Sequence, residues 1–342
     1  MRVAFAVGGA PERGCGPRSH GGAAGRTWAE IRIAERPVGY VLHVAAFRPN
    51  SGLPRREPRH KAGAMRTVTY AIGDVHGRLD LLEQLLDRVE VDATERAAAA
   101  KVVFTGDYVD RGPESRGVVD RLIAGPRRAV DRFVPLRGNH DDLFVSAVTR
   151  GNVLPDWAWT LYTHTLASYD LEADALAGRD GALRRHVRFL ASLPLMHDDG
   201  TYLFVHAGIR PGIALDRQSS EDLTWIREEF LAFDGLLPRR VVHGHTIMGD
   251  RPVVKPNRIS IDTGAYRSGI LTAVVIDGAE VAFLQAVGEP DRAALVREAI
   301  LVEGIAGRPV TPELRALFDD FLAGRIAFHE MAERSARLAT AA

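Results

Sequence analysis

Five times along the chain an apolar, β-rich run ends beside a glycine and a His, Asp or Asn. The runs are "TVTYAIGDVHG", "KVVFTGDYVDRG", "RFVPLRGNHD", "TYLFVHAG" and "RRVVHGHT". The first three are each followed by a helical pattern. "LDLLEQLLDRV", for example, places Leu79, Leu82, Leu85, Leu86 and Val89 on one face. Strand–loop–helix units in series argue for an α/β core. Loops at strand ends converge in such folds, so residues far apart in sequence can share one cleft. The candidates carried there are Asp74 and His76, Asp107 and Asp110, Asn139, His140 and Asp141, His206, and His243 and His245.

Taken singly, each has an ordinary explanation. Asp after Gly caps a helix or makes an Asx turn, and a lone His at a strand end is commonly a hydrogen-bonded core residue. Together they are hard to dismiss. The set offers hard oxygen and borderline nitrogen donors and no thiolate, which suits Mn²⁺, Fe or Zn²⁺ better than Mg²⁺. The single cysteine, Cys15, excludes an intrachain disulfide and leaves any metal to His, Asp, Glu or Asn. It also fits a reducing compartment, so a cytoplasmic location is expected. No apolar stretch is long enough to cross a bilayer, and a net charge of +0 points to neither nucleic acid nor an anionic membrane as partner.

Three segments differ in composition. Residues 1–64 are rich in Gly, Pro and Arg and carry eleven Lys/Arg against four Glu, a local net of +7. Such a segment buries little and is expected to be a mostly disordered, dispensable extension rather than a nucleic-acid-binding arm. Residues 65–289 hold all five motifs. From residue 290 a helical tail begins, with an apolar stripe (Leu314, Leu317, Phe318, Phe321, Leu322) after the cap-like "TPE", and it is expected to pack on the domain. The aromatic stretch from Trp157 to Tyr169 reads as a helical insert that lines or caps the cleft, more as core than as a base-stacking surface.

"GDVHG", "GDYVDRG" and "GNHD", in that order and spacing, resemble the signature of the calcineurin-like metallophosphoesterases, and more narrowly of the phosphoprotein phosphatase family. "LFVHAGIRPG", "DLTWIRE" and "HGHT" resemble its bacterial members, which include serine/threonine protein phosphatases and symmetrical diadenosine tetraphosphate hydrolases. The resemblance implies a four-layer α/β/β/α sandwich and two divalent metal ions, Mn²⁺ first, with Fe or Zn²⁺ as alternatives. It implies Asp74 and His76 on metal one, Asp107 bridging, and Asn139, His206 and His245 on metal two. His140 is then the general acid, oriented by Asp110, and Arg111 and Arg227 clamp the phosphate. "GHTI" puts Ile247 where the nuclease-like branches carry a second His, which favours the phosphatase branch, and His243 is left with a supporting role.

The chemistry explains these types. Phosphate esters are among the slowest substrates to hydrolyse uncatalysed, with up to ~10²¹-fold to make up. Two metals can hold a bridging hydroxide and neutralise phosphoryl oxygens, while a planar guanidinium binds two of those oxygens at once. The leaving group needs a proton, for which His140 and Asp110 are placed. Glycines at these turns would serve close approach: Gly73 would let its strand end turn, and Gly77 would keep the space over the metal clear. The expected function is therefore a metal-dependent phosphatase of phosphomonoesters. Phosphoserine and phosphothreonine in proteins come first, on the likeness of "DLTWIREEFL" and "IDTGAYRSGILTAVVID" to the bacterial protein phosphatases. Diadenosine tetraphosphate or another small phosphoester is the alternative. The intact donor set argues against a non-catalytic scaffold.

Overall fold

The structure is a computed structural model that describes residues 31–35, 40–44, 66–150, 162, 164–171, 181–290, 292–305, 307–326 and 328–341. Its strands form two sheets. The first holds β1 (Ile31–Glu35), β2 (Tyr40–Val44), β3 (Thr67–Ile72), β4 (Ala99–Phe104), β5 (Arg132–Pro135), β11 (Ile270–Asp277) and β12 (Glu280–Val287), in the spatial order β1-β2-β12-β11-β3-β4-β5. The second holds β6 (Met196–Asp198), β7 (Tyr202–Val205), β8 (Arg240–His243), β9 (Val253–Val254) and β10 (Arg258–Ser260), in the order β6-β7-β8-β10-β9. Strands β3, β4 and β5 run parallel, with Ile72 beside Phe104. Strands β7, β8 and β10 are also parallel, and both sheets are completed by antiparallel neighbours.

Side-chain alternation along the strands explains the layers. On β3, Val68, Tyr70 and Ile72 point into a core shared with α1 (Leu79–Arg96), α2 (Ser115–Ala124), α3 (Asn139–Arg150) and α4 (Gly181–Ser192). Ala71 points the other way, and with Val103 and Val274 it meets Phe204, Val242 and Ile259 of the second sheet. On β7, Tyr202 and Phe204 face this inter-sheet core, while Leu203 and Val205 face Leu223, Ile226 and Phe230 around the short helices α5 (Ser220–Trp225) and α6 (Glu228–Leu231). The result is the expected α/β/β/α sandwich. Helix α1 follows its periodicity, burying Leu82, Leu85, Leu86 and Val89 together with Leu81. Each such side chain contributes about 1.5–3 kcal/mol on burial.

Two results concern the flanks. Within the extension, β1 and β2 form an antiparallel hairpin whose second strand meets β12 at Val44 and Val281. The backbone groups of these two runs extend the sheet edge. The rest of residues 1–65 lies outside the described residues. At the other end, α8 (Arg292–Ile305) is followed by α9 (Pro312–Leu322), capped by the Thr311 hydroxyl on the Leu314 N–H at 3.2 Å, and by α10 (Phe328–Ala341). Leu314, Leu317, Phe318 and Phe321 gather with Tyr266 of the short helix α7 (Ala265–Ser268). Leu322, also on the expected stripe, is exposed. Among the described residues no helix is long and apolar enough to cross a membrane.

Candidate metal centre

All five motif loops leave the C-terminal ends of parallel strands. Asp74 and His76 follow β3, Asp107, Asp110 and Arg111 follow β4, Asn139 and His140 follow β5, His206 follows β7, and His245 follows β8. The stacked sheets bring these ends together. The loops turn abruptly to do so. Of the seven non-glycine residues with positive φ among the described residues, five are His76, Asp107, Asp110, Arg111 and His245. A non-glycine residue in the left-handed region is held there against a steric cost, and such residues cluster at functional sites. Gly77 has φ +64, and a Cβ on it would meet the Gly112 carbonyl at 2.6 Å. Its smallness thus lets the "GDVHG" and "DRG" loops touch main chain to main chain, and clearing space over a metal is not what it is needed for.

One group of donors is formed by Asp107, His206, His245 and Asn139. The Nδ1 of His206 lies 2.9 Å from the Thr105 carbonyl. A carbonyl only accepts, so Nδ1 carries the proton and Nε2 presents a lone pair. That Nε2 is 2.8 Å from Asn139 Oδ1 and 3.4 Å from Asp107 Oδ2. His245 brings its Nδ1 to 3.0 Å from the same Asn139 oxygen. A second group joins Asp107 to His76 and His140. His76 gives its Nδ1 proton to the Val109 carbonyl at 2.8 Å, and its Nε2 is 3.5 Å from Asp107 Oδ2. One carboxylate oxygen of Asp107 therefore faces both groups, while its Oδ1 accepts the His140 N–H at 2.9 Å. All of these side chains are buried.

Asp74 is equally buried but sits to one side. Its Oδ2 accepts the His245 N–H at 3.0 Å, and the triad around His76 is completed by His140 rather than by Asp74. Its closest charged company is Asp262, which the sequence reading passed over although "RISIDTG" repeats the plan of apolar strand, Asp and Gly. Asp141, one of the candidate donors, has a structural part instead. Its carboxylate accepts the N–H groups of Gly138, Asp107 and Tyr108 at 2.9, 2.8 and 2.9 Å and so pins two loops to each other. His243 is confirmed in a supporting position, bonded to Ser260 Oγ at 2.7 Å and packed on Phe230. Ile247 turns toward the tail cluster, away from any donor role.

The electrostatics fit a cationic occupant. In the protein alone, burial and then the neighbouring carboxylates Asp262 and Asp107 push Asp74 well above the usual range, and burial and Asp141 do the same to Asp107. Burial likewise lifts Asp262 and Asp141 to about 6. The histidines go the opposite way, with burial driving His206 down to about 3 and His245 to about 2. Packed carboxylates that repel one another, beside neutral imidazoles with oriented lone pairs, are what divalent ions neutralise and ligate.

Next to the donors lies a proton-handling pair and two arginines. His140 Nδ1 is 2.8 Å from Asp110 Oδ2, and Asp110 Oδ1 accepts the Thr165 hydroxyl at 2.6 Å. Burial pushes Asp110 up to about 7, with the Thr165 bond and the Arg111 charge opposing it. Arg111 donates to the Tyr266 hydroxyl at 2.7 Å and its guanidinium lies 4.5 Å from that ring. Arg227 donates from Nε to His245 Nε2 at 3.1 Å. Burial, and after it the charges of both arginines, hold the His140 pKa well below its usual value. The expected residues His76, Asp107, Asn139, His140, His206 and His245 are thus brought together, with Asp74, Asp110, Arg111 and Arg227 linked to them. Thr165, Tyr266 and Asp262 are members that the motifs did not single out. From the aromatic insert, Tyr162, Leu166 and Tyr169 are core residues, while Trp157 to Leu161 lie outside the described residues.

Residues 68–266 match the calcineurin-like phosphoesterase family. The symmetrical bis(5'-nucleosyl)-tetraphosphatase of Methylococcus capsulatus is 36% identical over 144 residues, covering 42% of this chain and 43% of that protein. The asymmetrical bis(5'-nucleosyl)-tetraphosphatase PrpE of Anoxybacillus flavithermus is 30% identical over 235 residues, covering 59% of this chain and 88% of that protein. The chain thus spans less than half the length of the first of these relatives. A crystal structure of a metallophosphoesterase from Sphaerobacter thermophilus aligns over 75% of this chain and 99% of that one, at 19% identity and a TM-score of 0.39. With more than half of its length matched and the donors of five loops brought together, the chain belongs to the calcineurin-like phosphoesterase family.

Proposed function

We propose that the protein is a metal-dependent phosphoesterase that hydrolyses bis(5'-nucleosyl) tetraphosphates. The observation that carries the reaction class is the pair of buried His/Asp triads sharing Asp107. The substrate class rests on the similarity to tetraphosphatases. The first-ranked expectation, a phosphoprotein substrate, gives way to its alternative on this ground: both use the same donors, so the motifs could not separate them.

Asp74, His76, Asp107, Asn139, His206 and His245 would hold two divalent ions. Bound there, the ions supply Lewis acidity, neutralising phosphoryl oxygens and activating water. The chain does the rest. Arg111 and Arg227 offer their forks to phosphate oxygens. The lock of Arg111 on Tyr266 orders its guanidinium before substrate arrives, so less freedom is lost on binding. A bound phosphate offsets the arginine charges that disfavour an imidazolium; His140, held at Nδ1 by Asp110, then takes up a proton on its other ring nitrogen and gives it to the leaving oxygen.

One feature bears on the nucleoside. Trp225 is 38% exposed and its ring lies 6.2 Å from that of His245. An indole left open beside a metal donor provides a stacking surface for a base. The test compares Mn²⁺-loaded protein on diadenosine tetraphosphate, a phosphoserine peptide and p-nitrophenyl phosphate. The highest kcat/KM is expected on the dinucleotide, and product analysis then separates symmetrical from asymmetrical cleavage. A higher kcat/KM on the peptide would restore the protein-phosphatase reading.

A further inference from the structure

We propose that Thr165 is a positioning residue for proton transfer, acting through Asp110 on His140; this rests on the proton-donor role given to His140 above. Thr165 comes from residues 164–168, a helical turn in the insert, 55 positions from Asp110. Its hydroxyl is fully buried, touches Ser115 Oγ at 3.2 Å, and makes its two shorter bonds to one residue. It accepts the Asp110 N–H at 2.8 Å and donates to Asp110 Oδ1 at 2.6 Å.

The direction of each bond follows from chemistry. The main-chain N–H can only donate, which frees the hydroxyl proton to point at the carboxylate. With Oδ1 satisfied, Oδ2 is left to accept from His140 Nδ1 at 2.8 Å. The same pair of contacts holds Asp110 in its left-handed backbone, at φ 69. A buried hydroxyl costs free energy unless it is bonded, so Val would serve at this position if filling space were all that mattered.

The turn that carries Thr165 is itself tied down on three sides. Leu166 and Tyr169 lie in the main core. The Ser168 hydroxyl accepts the Arg116 N–H of α2 at 3.0 Å. Tyr169 donates its hydroxyl to His186 Nδ1 at 2.7 Å, and His186 Nε2 in turn lies 2.9 Å from Asp120 Oδ1. The carboxylate fixes that tautomer, so donation runs one way, from the turn through His186 of α4 to Asp120 of α2.

The experiment compares Thr165→Val, Thr165→Ser, Ser115→Ala and His140→Asn in the full chain. It reads kcat and KM on diadenosine tetraphosphate and, in zinc-loaded protein, the downfield His140 Nδ1–H resonance, assigned by its loss in His140→Asn. Thr165→Val is expected to lower kcat about tenfold, leave KM within about twofold, and move the His140 resonance upfield; Thr165→Ser is expected to restore both. Ser115 Oγ accepts the same Asp110 N–H at 3.1 Å and lies 3.2 Å from Thr165 Oγ1; Ser115→Ala leaves both shorter Thr165 bonds to Asp110 in place, so it is expected to keep kcat. Unchanged kcat and resonance in Thr165→Val would overturn the proposal, as would an equal loss in Ser115→Ala. If His140→Asn keeps full kcat, the proton-donor role fails, and the resonance in Thr165→Val still decides the Thr165–Asp110–His140 linkage. Should Thr165→Val not fold, Thr165→Cys keeps the volume with a weaker donor and is read in the same way.

Discussion

The two halves of the metal centre share Asp107 and differ in almost everything behind it. Around His76 and His140 the walls are buried and tied by hydrogen bonds: Val109 on His76, Asp110 and Thr165 on His140, and Tyr266 on Arg111. Around His206 and His245 the inner wall is just as closed, but Trp225, 38% exposed, lies with its ring 6.2 Å from that of His245. In the function proposed above, the first half would hold and move a proton and the second would receive the nucleoside. The difference teaches that one carboxylate facing both groups can join a closed, hydrogen-bonded side to a more open one.

The sharpest way to break the comparison is to remove what the halves share. Asp107→Asn is expected to lower kcat/KM by at least about 10³-fold, since it weakens both ion sites together and metal assistance is worth several kcal/mol. Metal analysis of the purified variant is expected to fall below one ion per chain. Two retained ions with near-normal activity would mean that Asp107 does not bridge.

A smaller effect tests the open side alone. Trp225→Ala is expected to raise KM for diadenosine tetraphosphate by about tenfold, the scale of a stacking contact, with p-nitrophenyl phosphate unaffected. Equal losses on both substrates would place Trp225 in support of His245 instead of on the base.

The mildest test uses pH. Asp74 and Asp107 have raised pKa values in the protein alone, so protons compete with metal for them, and Asp262 and Asp141 near them sit at about 6. A group with a raised folded pKa holds its proton to higher pH. Mn²⁺ affinity is therefore expected to weaken several-fold as pH falls from about 8 to about 6, above the ordinary carboxylate range near 4. The histidines add little in that window, because His206 and His245 are already neutral, with pKa values of about 3 and about 2. Affinity that stays flat across the window, measured by titration calorimetry, would count against proton–metal competition at these carboxylates.

Much of the site was legible because its plan is local. Each of the five loops announces itself by an apolar run, a glycine and a donor side chain within a few residues, and Asp74, His76, Asp107, Asn139, His140, His206 and His245 could all be picked out from such short stretches. Thr165 could not. In "THTLAS" it looks like any hydroxyl on a helix, and its meaning comes from Asp110, 55 positions earlier. Asp262 shows the middle case: the strand-end pattern was present, but its pairing with Asp74 across the sheet was not. In the extension, the apolar runs at 31–34 and 38–47 were visible, whereas the edge of β12 that receives a strand exists only once the sheet is assembled.

The sequence by itself determined the α/β plan and which short stretches carry donor side chains, because hydrophobic period and turn residues act over a few positions. Only the tertiary structure decided that Asp107 faces both groups, that Asp74 leans on Asp262, and that an insert supplies the hydroxyl behind His140. Those outcomes depend on the register of parallel strands and on how the two sheets stack, and these are set by packing between segments far apart in the chain.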